Sequence, residues 1–239
     1  MSEQVIVEVT LPAPVEEVWR ALRDPAEVRR WFGWEHDGIA AEIREIFVEH
    51  AEADEERRTL AWETGDRFAL TARGGQTVLR VTRPAPAGGA SWDGVYDDIT
   101  EGWIAFVQQL RFALARHRGQ DRRTVFVGGH AATSGTATVD AVLGLPDGAD
   151  APGSAYKAAL AGGEVVSGQV WHRAAHQAGV TVDQYGDGLV VVMEYDAATR
   201  PPHGGADVVV TTYGLDEAAH AAVAQRWEAW WRGQAAADQ

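Results

Sequence analysis

VIVEVTLPAPVEEVWRALRDP, residues 5–25, changes periodicity partway through, and that change sets the reading of everything after it. Val5, Val7 and Val9 alternate with Ile6, Glu8 and Thr10, the two-residue repeat of a strand. Pro12 and Pro14 cannot donate to a β-ladder, so they close the run and mark it as an edge strand. Val15, Val18, Trp19 and Leu22 then recur at helical spacing, with Glu16 and Glu17 at the positive end of the helix dipole. Asp24 and Pro25 stop that helix, and Val28, Trp31 and Phe32 carry a second, shorter one to Gly33.

From Ile39 to Arg83 the pattern reads as short antiparallel strands: Leu60 with Trp62, Phe68 with Leu70, Leu79 with Val81. Gly65-Asp66 and Gly74-Gly75 supply the turns. A loop rich in Pro, Ala and Gly (84–90) leads to Trp103, Phe106, Val107, Leu110 and Leu114, one amphipathic helix ending near His117. The order is strand, helix pair, strand meander, long helix.

The second half repeats that order: a strand at Thr124–Val127, a helix with Val139, Val142 and Leu143 before Pro146, strands across Val165–Val192, and a final helix bearing Val223, Trp227, Trp230 and Trp231. Leu22 and Leu143, Pro25 and Pro146, Gly65 and Gly186, Asp66 and Asp187, and Phe106 and Trp227 each lie 121 residues apart. A constant offset across helices and turns is the mark of a domain-sized internal duplication. The sequence therefore predicts one domain over 1–118 and a second, diverged copy over 121–239, joined by a short polar stretch containing Gly119.

Composition bounds the chemistry. At 46% hydrophobic and 23% charged residues the 239-residue chain is that of a folded protein. A formal charge of −14, with Lys157 the only lysine and Arg122-Arg123 a short basic pair, argues against a nucleic-acid partner. Cysteine is absent, which removes thiolate nucleophiles, disulfides and cysteine-based zinc sites. No run approaches the roughly 18 apolar residues of a membrane span, and the start lacks the basic and apolar regions of a signal peptide. A cytoplasmic location is expected.

The first half resembles the START/Bet v 1-like (SRPBCC) superfamily, in its branch similar to the C-terminal domain of the Hsp90 ATPase activator. VEEVWRALRDP (15–25), Trp31, LAWETGDRFAL (60–70), TVLRVT (77–82) and EGWIAFVQQLRFAL (101–114) carry the resemblance. It implies an α+β helix-grip fold, a curved antiparallel sheet around a long C-terminal helix with an apolar cavity between them, in two tandem copies. The second half is further from the pattern, with Pro152 at the position equivalent to Trp31. Chaperone contact is not expected, because the Asn- and Trp-rich motif of the activators has no counterpart here. Bacterial relatives of this kind include cyclases, carriers and self-sacrificing resistance proteins that bind enediyne antibiotics. The expected function is binding of a hydrophobic, aromatic or polyketide-like molecule, as carrier, receptor or sequestering protein. The alternatives are an aromatase/cyclase-like enzyme of natural-product biosynthesis and a resistance protein consumed at a glycine.

Indoles offer broad flat apolar area and one N–H donor, which suits planar ligands. The ligand-binding candidates are Trp31, Trp62, Phe68, Trp103, Phe106 and Leu110 in the first half, and Tyr185, Met193, Trp227 and Trp231 in the second. His172 and His176 have the spacing of two metal ligands on one helix face, but the repeat puts them at a strand or turn. Asp93, Asp97, Asp98 and Glu101 read as a solvated helix N-terminus, since their spacing does not follow a calcium loop. Arg57 and Arg58 with Glu63, or Tyr185 with Glu194, are candidate polar pairs for acid–base work. Gly74-Gly75, Gly88-Gly89 and Gly204-Gly205 read as turns. No catalytic residue, metal or cofactor is assigned.

Overall fold

A computed structural model describes residues 3–84, 93–146 and 148–236, with side chains from 99 onward in the segment that begins at 93. The chain divides into two compact units, Met1–Trp92 with Gly102–Asp121 and Asp93–Glu101 with Arg122–Gln239. It is α+β, with one antiparallel sheet in each unit and a long helix after each sheet. Among the described residues no helix is long and apolar enough to cross a membrane.

In the first unit, β1 (Glu3–Leu11) ends immediately before Pro12 and lies at the sheet edge. Helix α1 (Val15–Arg23) buries Val18, Trp19, Ala21 and Leu22, with Glu16 and Glu17 in its first turn and Arg20 and Arg23 in its last. Asp24 ends α1 in an extended conformation and caps α2 (Pro25–Val28) by accepting from the Ala26 N–H at 2.9 Å. One Asp-Pro dipeptide therefore stops one helix and starts the next. The sheet continues with β2 (Glu52–Asp54), β3 (Thr59–Ala61), β4 (Arg67–Arg73) and β5 (Gln76–Pro84), in the order β1-β5-β4-β3-β2. Gly74 and Gly75, at φ of +56° and +83°, form the two-residue turn between β4 and β5, where both positions need the left-handed region. The long helix α4 (Asp93–Arg116) follows, and its part from Gly102 onward belongs to this unit.

One expectation fails here. The strand reading from Ile39 onward is wrong over its first part, where α3 (Ile39–Arg44) runs into a π-helical turn, Glu45–Glu49. Ile39, Ile43 and Phe47 recur every fourth residue and all are buried, so the segment follows a helical period.

The second unit holds β6 (Arg123–His130), α5 (Val139–Leu143), β7 (Ala155–Ala159), β8 (Val165–Arg173), β9 (Gln177–Val182), β10 (Gly188–Tyr195), β11 (Gly205–Thr212) and α6 (Glu217–Gln234). Its sheet has six strands in the order β6-β11-β10-β9-β8-β7. Asp216 caps α6 through the Ala219 N–H at 2.8 Å. The core of this unit packs Val125, Val127, Val180, Val190, Val208 and Val210 against Val142, Leu143, Val223 and Trp227. Strands β7 and β11 were not read from the sequence.

Candidate functional site

The densest apolar feature of the first unit is a set of aromatic rings between its sheet and α4. Trp62 directly follows β3, β4 delivers Phe68, and α4 contributes Trp103 and Phe106, three residues apart and hence on one helix face. Trp31 and Phe32 follow α2, and Phe47 comes from the π-helical turn. Centroids lie 5.6 Å apart for Trp62 and Trp103, 5.0 Å for Trp62 and Phe68, 4.9 Å for Phe68 and Trp103, and 4.8 Å for Phe32 and Phe106. Most of these contacts are edge-to-face, the arrangement that the ring quadrupole favours. Trp31, Phe32, Phe47, Phe68 and Trp103 are buried, whereas Trp62 and Phe106 are half-buried. Leu110 lies one turn further along α4 in the same core.

Each indole in the set has its N–H satisfied. Trp31 donates to the Ala21 carbonyl at 2.9 Å, Trp62 to the Ile46 carbonyl at 2.7 Å, and Trp103 to Asp66 Oδ2 at 3.1 Å. Asp66 also receives Arg83 on both oxygens, Nε at 2.5 Å and Nη2 at 3.1 Å, in a pair only 7% and 6% exposed. The deepest charges of the site thus neutralise one another in a fork-to-fork geometry and fix the Trp103 ring. Neither Asp66 nor Arg83 was singled out in the sequence as a site residue.

In the second unit Tyr185 accepts a hydrogen bond from Trp227 Nε1 at 3.3 Å, and both residues are buried. Burial pushes the Tyr185 phenol above its ordinary pKa, so it stays protonated at neutral pH. Trp231 is half-buried, packed both against Ala131, Ala137 and Ala206 and against the edge of the core that holds Tyr185 and Trp227. Met193 is buried but does not join them, because strand alternation sends it to the face opposite Val190 and Val192. Tyr185, Trp227 and Trp231 thus share one core, and Met193 lies on the other face of the sheet.

The proposed acid–base pairs do not form. Glu194 Oε2 accepts from the Val139 N–H at 2.7 Å and serves the start of α5 instead of Tyr185. Arg57 pairs with Asp54 at 2.7 Å and Arg58 with Glu55 and Glu16 at 2.8 and 2.6 Å, while Glu63 is exposed. His172 sits on β8 with Nε2 3.1 Å from Gln177 Oε1, and His176 lies in the turn before β9, so the two do not share a helix face. Among the described residues no group of three His, Asp or Glu is arranged to hold a metal. The side chains of Asp93, Asp97 and Asp98, and Gly88-Gly89, lie outside the described residues; Glu101 is buried.

A depression of about 310 Å³ between α2 and α3 is lined by Pro25, Ala26, Arg29, Ala40, Ile43 and Arg44, none of them an aromatic candidate. In the second unit a cavity of about 170 Å³ is lined by His176, Glu194, Tyr195, Asp196 and His203, among others.

No family model matches the chain, and no curated protein matches it. Among solved structures it is similar to the di-domain ARO/CYC BexL from the BE-7585A biosynthetic pathway, at 13% identity over 100% of both chains with a TM-score of 0.33. It is similar to the di-domain ARO/CYC StfQ from the steffimycin biosynthetic pathway at 9% identity, over 95% of this chain and 91% of that one, with a TM-score of 0.32. CalU16 from Micromonospora echinospora matches at 20% identity over 47% of this chain and 65% of that one, with a TM-score of 0.32. Likenesses this distant carry no functional weight, and the reading of the site rests on its own geometry.

Proposed function

We propose that the chain comprises two helix-grip, START-like domains, over 1–118 and 121–239, and that the first receives a flat, apolar, aromatic or polyketide-like molecule as a carrier, receptor or sequestering protein. One observation carries this reading: seven aromatic rings converge between one sheet and one helix, with two of them, Trp62 and Phe106, only half-buried. A core that needed only apolar volume would be met by aliphatic side chains with well-defined rotamers, whereas flat rings with an exposed edge offer a stacking surface. The ionisable groups nearest the rings are bound to each other, which favours binding over acid–base chemistry.

Titration of the full chain with a panel of tricyclic and tetracyclic aromatic ketones, read by tryptophan quenching and native mass spectrometry, tests it. Quenching with one ligand retained per chain is expected, weakened about tenfold or more by Trp62→Ala, since loss of an aromatic contact in a binding site costs about 2 kcal/mol. A panel in which no compound quenches or is retained removes the reading.

A further inference from the structure

At the centre of the aromatic set stands Phe47, wholly buried, with Trp31, Phe32, Trp62 and Trp103 around it. The four rings lie 5.6, 5.0, 6.0 and 6.3 Å from Phe47, at interplanar angles of 82°, 77°, 90° and 90°. Phe47 therefore occupies a slot whose walls are themselves aromatic. It reaches that slot on a π-helical turn, whose closing bond runs from the His50 N–H to the Glu45 carbonyl, five residues back, at 2.9 Å. Such turns are rare and carry one residue more than an α-helical turn.

Two side chains hold this register by taking carbonyls of the turn. Trp62 Nε1 donates to Ile46, and Arg23 Nη1 donates to Phe47 at 2.6 Å. Returning the turn to α-helical register shifts the segment by one residue, about 100° around the axis, and turns Phe47 out of its slot. The same change frees the Trp62 N–H inside the vacated space.

Resting on the receptor reading above, we infer that Phe47 holds the place of the ligand's own ring. The ligand is then a fused aromatic carrying a hydrogen-bond acceptor on its edge, which displaces Phe47 and accepts from Trp62 Nε1. Apolar cavities of about 150 Å³ lined by such side chains stay dry and take up benzene, so a slot emptied of Phe47 is ready for a ring of that class.

The test compares the full-length wild type, Phe47→Ala and Phe47→Leu by calorimetric titration with α-tetralone and with tetralin, which has nearly the same shape without the carbonyl. Near-ultraviolet circular dichroism establishes folding of each. Phe47→Ala should bind α-tetralone about tenfold tighter than wild type, because the competing conformation no longer has to be displaced. It should prefer α-tetralone to tetralin by roughly fivefold, the worth of one ordinary hydrogen bond. Phe47→Leu should fall between the two, and its comparison with wild type decides the matter if Phe47→Ala does not fold. Equal affinity in all folded variants, or weaker binding on truncation, overturns the role of Phe47 and leaves the receptor reading standing. Absence of binding by every folded variant removes both.

Discussion

Replacing Asp66 by Asn tests whether the polar end of the aromatic set is a structural clamp. The carboxylate accepts from Arg83 Nε and Nη2, from Trp103 Nε1, and from Thr64 Oγ1 at 3.3 Å. Two opposite charges about 4 Å apart attract by about 4 kcal/mol at the effective dielectric of a protein site. Removing one partner of a buried pair costs about 3–5 kcal/mol, because the remaining charge keeps its desolvation penalty. The Asn amide retains one acceptor oxygen, so the loss should fall at the lower end, about 3 kcal/mol. With an m-value near 2 kcal/mol per molar, the urea midpoint of the first unit should drop by about 1.5 M, read by near-ultraviolet dichroism of its tryptophans. The double variant Asp66→Leu/Arg83→Met removes both charges at similar volume and should recover most of that loss. An Asp66→Asn midpoint within about 0.5 M of wild type, or a double variant as damaged as the single, would refute the clamp.

Gly186 and Gly214 both have positive φ, at 72° and 62°, but a Cβ on Gly186 would meet the Tyr213 carbonyl oxygen whereas one on Gly214 meets open space. Gly214→Ala should therefore cost only the left-handed strain of about 1–2 kcal/mol, and Gly186→Ala clearly more, as paired thermal melts will show. Alkaline titration addresses the buried phenols: burial raises Tyr213 from 10.0 to about 12 and also raises Tyr156 and Tyr185. Their neutral forms are common to both states below pH 10, so stability is unaffected there. Above pH 10 the unfolded chain loses protons that the folded one keeps, and Tyr213 alone should remove about 2 kcal/mol by pH 12. Tyrosinate absorbance that rises fully near pH 10 in the folded protein would contradict this.

Residues 5–25 were legible because each boundary is written locally: prolines close the strand, acidic residues open α1, and Asp24-Pro25 punctuates the helices. The face of α4 was legible for the same reason, since Trp103, Phe106 and Leu110 keep a helical spacing whatever lies opposite. The π-helical turn was not, because its extra residue breaks the very period by which a helix is recognised, and Phe47 was missed with it. Its signal was present in the Ile39, Ile43, Phe47 series. The Asp66–Arg83 pair joins residues 17 apart, one just before β4 and the other near the end of β5, a contact that only the β4–β5 register creates. The face of Met193 was not legible because Leu189–Met193 is an unbroken apolar run, in which alternation leaves no trace of which side chain faces which way.

The two units keep a common frame and diverge in one wall. Strand β1 answers to β6, α1 to α5, β4 to β10 and α4 to α6 at close to the 121-residue offset, and Gly65 and Gly186 both adopt positive φ. Between the first helix and the meander, however, the first unit places α2, α3 and the π-helical turn, and the second places β7 and most of β8. That segment supplies Trp31, Phe32 and Phe47. At the same offset Phe47 answers to Gly168 on β8, where a Cβ would collide with the Thr181 carbonyl oxygen, so no ring can enter from that strand position. The second unit fills its interior with Tyr185, Trp227 and valines instead. A segment swapped from helical to extended thus removes the movable ring while the sheet and long helix persist, and differences in ligand preference between the units should trace to residues 25–50 against 146–171.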